Sequence, residues 1–396
     1  MNAPHNPRNP GDLDLDFGDA GLAPFPSGLH DGHSSLLSDG RILSACSDGI
    51  TPAITLFRHL PSGALDTSFG EQGLVNIDLP QRASFARVEV LSDDGALVYG
   101  PLGRSGTHHS FVFRILPDGQ LDRTFGESGY FVLDMGHENH LITALSPLAD
   151  GKIMLLAGVE WNTGTYVSYF VRLDNGNLDP SFGENGEGYI QLGYLPSRHF
   201  AVTPNGSYVL TPQNNNTATF SQYLADGTPD RAFGVNGAVT VPLPAPGSAL
   251  INQVTVQPDG KILAVGQANV GFGTHTLTIR LNPDGSLDST FNGGEPKIMV
   301  FQGYETTASK VVCLPDGAIV VAGNTTAVPN DVILMRMLSN GNLDMSFGTN
   351  GQVISDLGGA DRCQGMNVQD DGKILVCGLR DGTSSPHRLF LARYLG

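Results

Sequence analysis

The stretch Asn340-Gly341-Asn342-Leu343-Asp344-Met345-Ser346-Phe347-Gly348-Thr349-Asn350-Gly351 decides the fold, because it comes back. Its pattern, Gly-x-Leu-Asp-x-Ser-Phe-Gly-x-x-Gly, recurs with the aromatic at Phe17, Phe69, Phe125, Phe182, Phe233, Phe291 and Phe347. Successive copies lie 51 to 58 residues apart, and 49 residues follow the last one. A period of this size marks a propeller, a solenoid or a tandem array.

Working outward from the motif, every unit carries the same parts in the same order. A short strand follows Phe-Gly, as in Gly351–Leu357. After a loop of variable length comes a strand such as Asn252–Gln257, which ends in a tight Asp-Gly turn. That turn occurs seven times, at Gly40, Gly95, Gly151, Gly206, Gly260, Gly317 and Gly372, with Asn205 replacing Asp once. Asx-Gly between apolar runs signals a hairpin, because the turn needs a residue with φ > 0. The next strand, Lys261–Val265, is closed by Gly266. A second variable loop leads to a strand such as Thr276–Leu281, which runs into the next motif.

Helical periodicity is absent throughout, so the units are all β. Four strands per unit and seven units predict an all-β, seven-bladed β-propeller. The chain starts on the motif and a strand around Gly21–Phe25, and finishes on Leu389–Leu395, the strand that normally precedes the motif. The opening strand is therefore expected to complete the last blade, closing the ring and covering an open edge. Residues 1–10, rich in Pro and Asn, are expected to form a loose arm, and residues 11–396 a single propeller. The strands of each blade are lettered A to D from the axis outward.

Composition narrows the function classes. The net charge is −17 and the pI about 4.8. Such a chain repels phosphate backbones, so nucleic acid is not an expected partner. Cys46, Cys313, Cys363 and Cys377 follow neither a metal-ligand spacing nor a disulfide framework. Cys46 and Cys377 sit on equivalent strands one position out of step, which points them to opposite faces and predicts no bridge. No signal peptide or membrane span is read. The expected compartment is the cytoplasm or, by a leaderless route, outside the cell, and a monomer is the default.

The repeated residues read as structural. Seven aromatics at one repeat position are a core layer between blades. The motif Asp (Asp14, Asp66, Asp122, Asp179, Asp230, Asp288, Asp344) can cap its own turn, and strand C offers Arg58, Arg114, Arg172, Arg280, Arg336 and Arg393 as bidentate partners. The fourth unit has Gln222 there. A repeated Ca²⁺ site at these carboxylates is the alternative; otherwise no cofactor and no metal are expected.

Asp259–Leu263, Ile279–Asp288 and Ser346–Gly348 together resemble the bacterial delta-60 repeat proteins, a β-propeller family, over essentially residues 11–396. The resemblance implies the fold and an extracellular or surface setting common among members. It supplies no catalytic residue.

In this strand order the stereotyped A–B turns and C–D connections share one face, and the variable D–A and B–C loops share the other. Function tends to sit on variable loops held by a rigid scaffold. Counting back seven or eight residues from each turn Gly gives His33, Arg87, Thr143, His199, Gln253, Lys310 and Gln364, with His30, Arg82, His137, Glu138, His140, Arg198 and Arg362 nearby. This basic gathering in an acidic chain suggests a channel-mouth site for an anionic or hydroxyl-rich ligand (a glycan, an organic acid or an acidic peptide) or a protein partner. His33, Arg87, His140, His199, Gln253, Lys310 and Arg362 are its candidate residues. The competing reading is that loops are polar in any case. Trp161, Tyr166 and Phe272 in the B–C loops are candidate aromatic contacts.

Signals for catalysis are sparse. His137-Glu138-Asn139-His140 is one residue short of a zinc-protease pattern and lies off any helix, and His108-His109 reads as solvated. No nucleophile elbow, phosphate loop or dinucleotide fingerprint occurs. The expectation is recognition without catalysis. An enzyme at the same mouth, glycan-active and using His33, His140 and His199 as acid/base groups, is the alternative, and a pure scaffold the third reading.

Overall fold

The computed structural model describes residues 8–396, apart from 27, 30, 104–108, 137–138, 163–164, 184, 194–196, 213–216, 245–246, 272, 302 and 382–387, and the side chains of 161, 162, 165 and 381. Each repeat hydrophobic run forms one antiparallel sheet, and seven sheets make a seven-bladed β-propeller. Blade 1 runs through Asp31–Leu36, Ile42–Ser47, Ala53–His59 and Leu74–Asp78. A three-residue 3₁₀ turn at Asn292–Gly294 is the one helical element among the described residues. Among the described residues no helix is long and apolar enough to cross a membrane.

The last blade contributes only Ala360–Val368, Ile374–Asp381 and Arg388–Tyr394. Its fourth place is taken by the start of the chain, where Leu13 bridges Tyr394 and Leu22 bridges Ala392. The Gly11 amide donates to Leu395 O at 2.7 Å, and the Ala23 amide to Leu391 O at 2.9 Å. The expected closure is therefore present, and no sheet edge is left open at the seam. Residues 8–10 are not a loose arm. The Pro10 carbonyl accepts the Gly348 amide at 2.7 Å, and Arg8 pairs with Asp16 at 2.9 Å. Residues 1–7 lie outside the described part.

The motif is a staple between blades. In blade 5, Arg280 Nε donates to Asp288 Oδ2 at 2.7 Å and its guanidinium lies 4.7 Å over the Phe291 ring. The same trio recurs as Arg58–Asp66–Phe69, Arg172–Asp179–Phe182, Arg336–Asp344–Phe347 and Arg393–Asp14–Phe17. The other Asp oxygen accepts the backbone amide and hydroxyl two residues on, as Asp288 does from Thr290 at 2.9 and 2.7 Å. Burial alone would raise the Asp288 carboxyl. The Thr290 bonds, Lys261 and Arg280 outweigh it and hold the group below the usual carboxylate range. The carboxylates of these five trios are thus held by guanidinium groups, four of them by a hydroxyl as well. Arg280 also reaches the next blade, donating from NH1 to Ser339 O at 2.7 Å, while Phe291 packs on Gly341 there. The residue after each Phe sits at positive φ, including Asn292 at φ 48, where its neighbours use Gly.

One strand boundary differs from the sequence reading. Gly266 does not close its strand, which runs on from Ile262 to Val270. It stands opposite a β-bulge in strand A, where pairing skips Asn252 between Ile251 and Gln253. A Cβ on Gly266 would lie 1.9 Å from Leu250 O. The same bulge skips Ser309 opposite Gly323 and Gln364 opposite Gly378. Glycine here admits the backbone of the innermost strand, and the bulge re-aims its side chains toward the axis.

Candidate functional site

The bulged strands surround a central cavity of about 820 Å³ to which all seven blades contribute. Its lining includes His33, Arg87, Thr143, His199, Gln253, Lys310 and Gln364, one from each blade, together with Arg198. Three of the seven are tied to the following blade. His33 Nδ1 donates to Val88 O at 3.2 Å, which fixes the ring as its Nδ1–H tautomer. The Thr143 hydroxyl donates to Ser197 O at 3.2 Å, and Gln253 Oε1 accepts the Val311 amide at 2.7 Å. His199 lies beside the backbone of Val254, but its buried Nδ1 makes no hydrogen bond.

These contacts bear on the two histidines as acid/base groups. Burial, then Arg87 and Lys310, push His33 down to about 3. Burial, then Lys310 and Arg87, push His199 down to about 3 as well. Both rings are neutral at pH 7, so neither carries an extra proton to deliver. His33 joins blades 1 and 2.

The cations are placed differently. Arg87 and Lys310 line the same cavity, and neither forms an ion pair among the described residues. Burial, and then Arg87, push the Lys310 ammonium down. Arg87 lies 5.5 Å from the ring centre of Phe85, a cation–π contact that leaves the guanidinium edge open. Amides and hydroxyls complete the wall, among them Asn252, Gln267, Asn367 and Ser309.

Sequence reasoning missed two lining residues, Glu89 and Tyr99. Burial pushes Glu89 up to about 7, against the opposing pull of Lys310. Tyr99 is pushed up to about 12, chiefly by burial. Glu89 lies two residues beyond Arg87 on one strand, so the period of two places both on one face. Counting a single position per blade passed over it. Tyr99 comes from strand B, which the inner-strand count did not include.

The remaining candidates stand elsewhere. His140 is fully buried between blades 2 and 3, where its Nε2 accepts the Met135 amide at 3.1 Å and its ring stacks on His109 at 5.3 Å. It occupies a packing position because its place on strand A is three residues before Thr143 and clear of the bulge. Arg362 is exposed and off the cavity wall. Arg82 is half-buried and also off it. Tyr166 is exposed on the blade 3 hairpin, its hydroxyl 3.3 Å from Glu160 Oε2, away from the channel. Trp161 falls on the strand Ile153–Asn162, but its side chain, like Phe272, His30, His108, His137 and Glu138, lies outside the described residues. All four cysteines are free, including Cys46 and Cys377.

Residues 148–182, 257–291 and 314–347 match a family model described as a domain of unknown function (DUF5122) beta-propeller. No curated protein matches the sequence. Among solved structures, the chain is similar to a catalytically inactive virginiamycin B lyase from Staphylococcus aureus with quinupristin, at 9% identity and a TM-score of 0.53 over 95% of this chain and 98% of that one. It is similar to the polysaccharide lyase Uly1, at 10% identity and 0.52 over 96% and 93%. It is also similar to YCF48 bound to D1 peptide, at 12% identity and 0.51 over 98% and 98%. At these identities the likeness is one of fold, shared by enzymes and binding proteins alike. The three matched segments each run from an Asp-Gly turn to a Phe motif, so three of the seven repeats are similar to that β-propeller model.

Proposed function

We propose that this propeller, with repeats of the delta-60 kind, is a binding protein that takes a polar anionic ligand, such as an organic acid or an acidic sugar, into its central channel. One observation carries the reading. Arg87 and Lys310 face one cavity and neither forms an ion pair among the described residues, in a chain of net charge −17. Two half-buried cations that repel each other are costly unless a ligand balances them. An anion would gain charge-assisted bonds from both. His33, Thr143 and Gln253 tie neighbouring walls together, so little ordering would be needed on binding. Asn252, Gln267 and Asn367 supply hydroxyl-matching groups around the rim of that charge. The test is a melting-temperature and calorimetric screen of dicarboxylates, uronates and neutral sugars. Stabilisation by the anions, absent for neutral sugars and lost in Arg87→Ala, supports it.

Glu89 favours a second reading. A carboxyl near 7 in a channel beside Arg87 and Lys310 is poised for proton transfer. A hydrolase or lyase acting on an anionic glycan would use Glu89, not the histidines. Turnover of a polyuronate that disappears in Glu89→Gln would favour this over simple binding.

A further inference from the structure

Outside the channel, three carboxylates converge on the loop face between blades 6 and 7. One ligand oxygen each from Asp331, Asp356 and Asp361 lies within 4.8 Å of the others. Asp361 is fully buried, and its Oδ1 finds no hydrogen-bond partner. Its other oxygen is committed, accepting the Leu357 amide at 2.7 Å.

We propose that Asp331, Asp356 and Asp361 form a calcium site that locks blade 6 to blade 7. The donor set is all carboxylate oxygen, which suits a hard cation. The spacing suits Ca²⁺ in particular. Oxygens about 2.3–2.6 Å from a shared ion stand up to about 5 Å apart, whereas Mg²⁺ needs them closer.

Both loops are built before any ion arrives. The Asp331 amide donates to Thr325 Oγ1 at 2.8 Å, and the Asp361 amide to Asn330 O at 2.7 Å. Asn324 Nδ2 donates to Asp361 O at 2.7 Å, and the Gly358 amide to Asp356 Oδ1 at 2.8 Å. Among the described residues, Arg380 is a cation that acts on Asp361, and its NH1 donates to Leu357 O at 2.5 Å. It offsets part of the cluster's charge.

Comparison with blade 3 isolates what is unusual. His140 there takes the amide of Met135, five residues upstream, as Asp361 takes that of Leu357, four upstream. A neutral ring does the packing task of that position. A carboxylate with an orphan oxygen and two like charges beside it is not needed for packing, and a divalent ion resolves it.

The test is calorimetry of the full chain, freed of metal with EDTA, against CaCl₂ and MgCl₂. One Ca²⁺ per chain is expected, with Kd between about 10⁻⁶ and 10⁻³ M, and a Ca²⁺-dependent rise in melting temperature. Asp356→Asn, at an exposed position, keeps the fold and should weaken Ca²⁺ at least about tenfold; Asp361→Asn should abolish it. No heat with Ca²⁺, an equal response to Mg²⁺, or undiminished binding in Asp356→Asn would overturn the proposal.

Discussion

Arg280 lies with its guanidinium 4.7 Å over the ring of Phe291 while its Nε holds Asp288 at 2.7 Å. Arginine, carboxylate and aromatic satisfy one another, and the trio leans on Ser339 and Gly341 of the neighbouring blade. Because the contact crosses a blade boundary, its loss is felt by two sheets. Phe291→Ala should cost about 3–5 kcal/mol, read as a fall in denaturation midpoint. Arg280→Ala leaves the buried Asp288 with Lys261 and Thr290 alone and should cost about 1.5–3 kcal/mol.

Blade 4 lacks this staple. Gln222 Nε2 reaches Asp230 Oδ2 at only 3.3 Å, and its Oε1 is buried without a partner. Phe233 has no cation above it among the described residues. Gln222→Arg should restore the trio and stabilise the protein by about 1–2 kcal/mol, measured as a rise in urea midpoint at unchanged slope.

The seam makes a different demand. Leu13 and Leu22 pair with the last strand, and Pro10 receives the Gly348 amide, so the ends of the chain hold each other. Removing residues 1–24 should expose the strand Arg388–Tyr394 as an open edge and yield aggregates in size-exclusion chromatography. A soluble, cooperatively melting product would show that the opening segment is dispensable.

Much of this was legible in the sequence, and the reasons are local. The Phe motif and the Asx-Gly turn, each repeated seven times, and the Arg of strand C, repeated six times, are short-range signals, so blade number, strand order and closure could all be read from them. The ring of inner positions ending in Lys310 and Gln364 could also be counted. The bulge could not. It arises where Gly266 lets the backbone of Leu250 approach, a relation between two strands that gives a single Gly no distinctive spacing. Glu89 escaped for the same reason: its burial depends on six other blades. His140 looked like a mouth residue because sequence distance from a turn does not report which face of strand A points inward.

The channel histidines give a pH signature. His33 and His199 titrate near 6.5 when unfolded and are pushed to about 3 when folded. Below 6.5 the unfolded chain takes up protons that the folded one refuses. Stability should therefore fall as pH drops from about 6.5 toward 3 and be unaffected by these groups above that. Glu89 has the opposite sign. Its folded value, about 7, is above its unfolded one, so stability is lost as pH rises through 7. Glu89→Gln should be near neutral at pH 4.5 and stabilising by up to about 3 kcal/mol at pH 8. His33→Gln, which has no proton to refuse, should flatten the acid limb in pH-dependent melting.

Charge in the channel should trade stability for binding. Lys310 is half-buried in the channel with Arg87 and forms no ion pair among the described residues, so Lys310→Met should raise the melting temperature of the free protein. The measurement that reaches the central claim is calorimetric titration of wild type and Lys310→Met with the tightest anion from the screen. The account predicts one ligand per chain for wild type and at least about a tenfold weaker affinity in the variant, worth about 1.4 kcal/mol or more. Equal affinity in both proteins, or no anion bound by wild type at all, would contradict it.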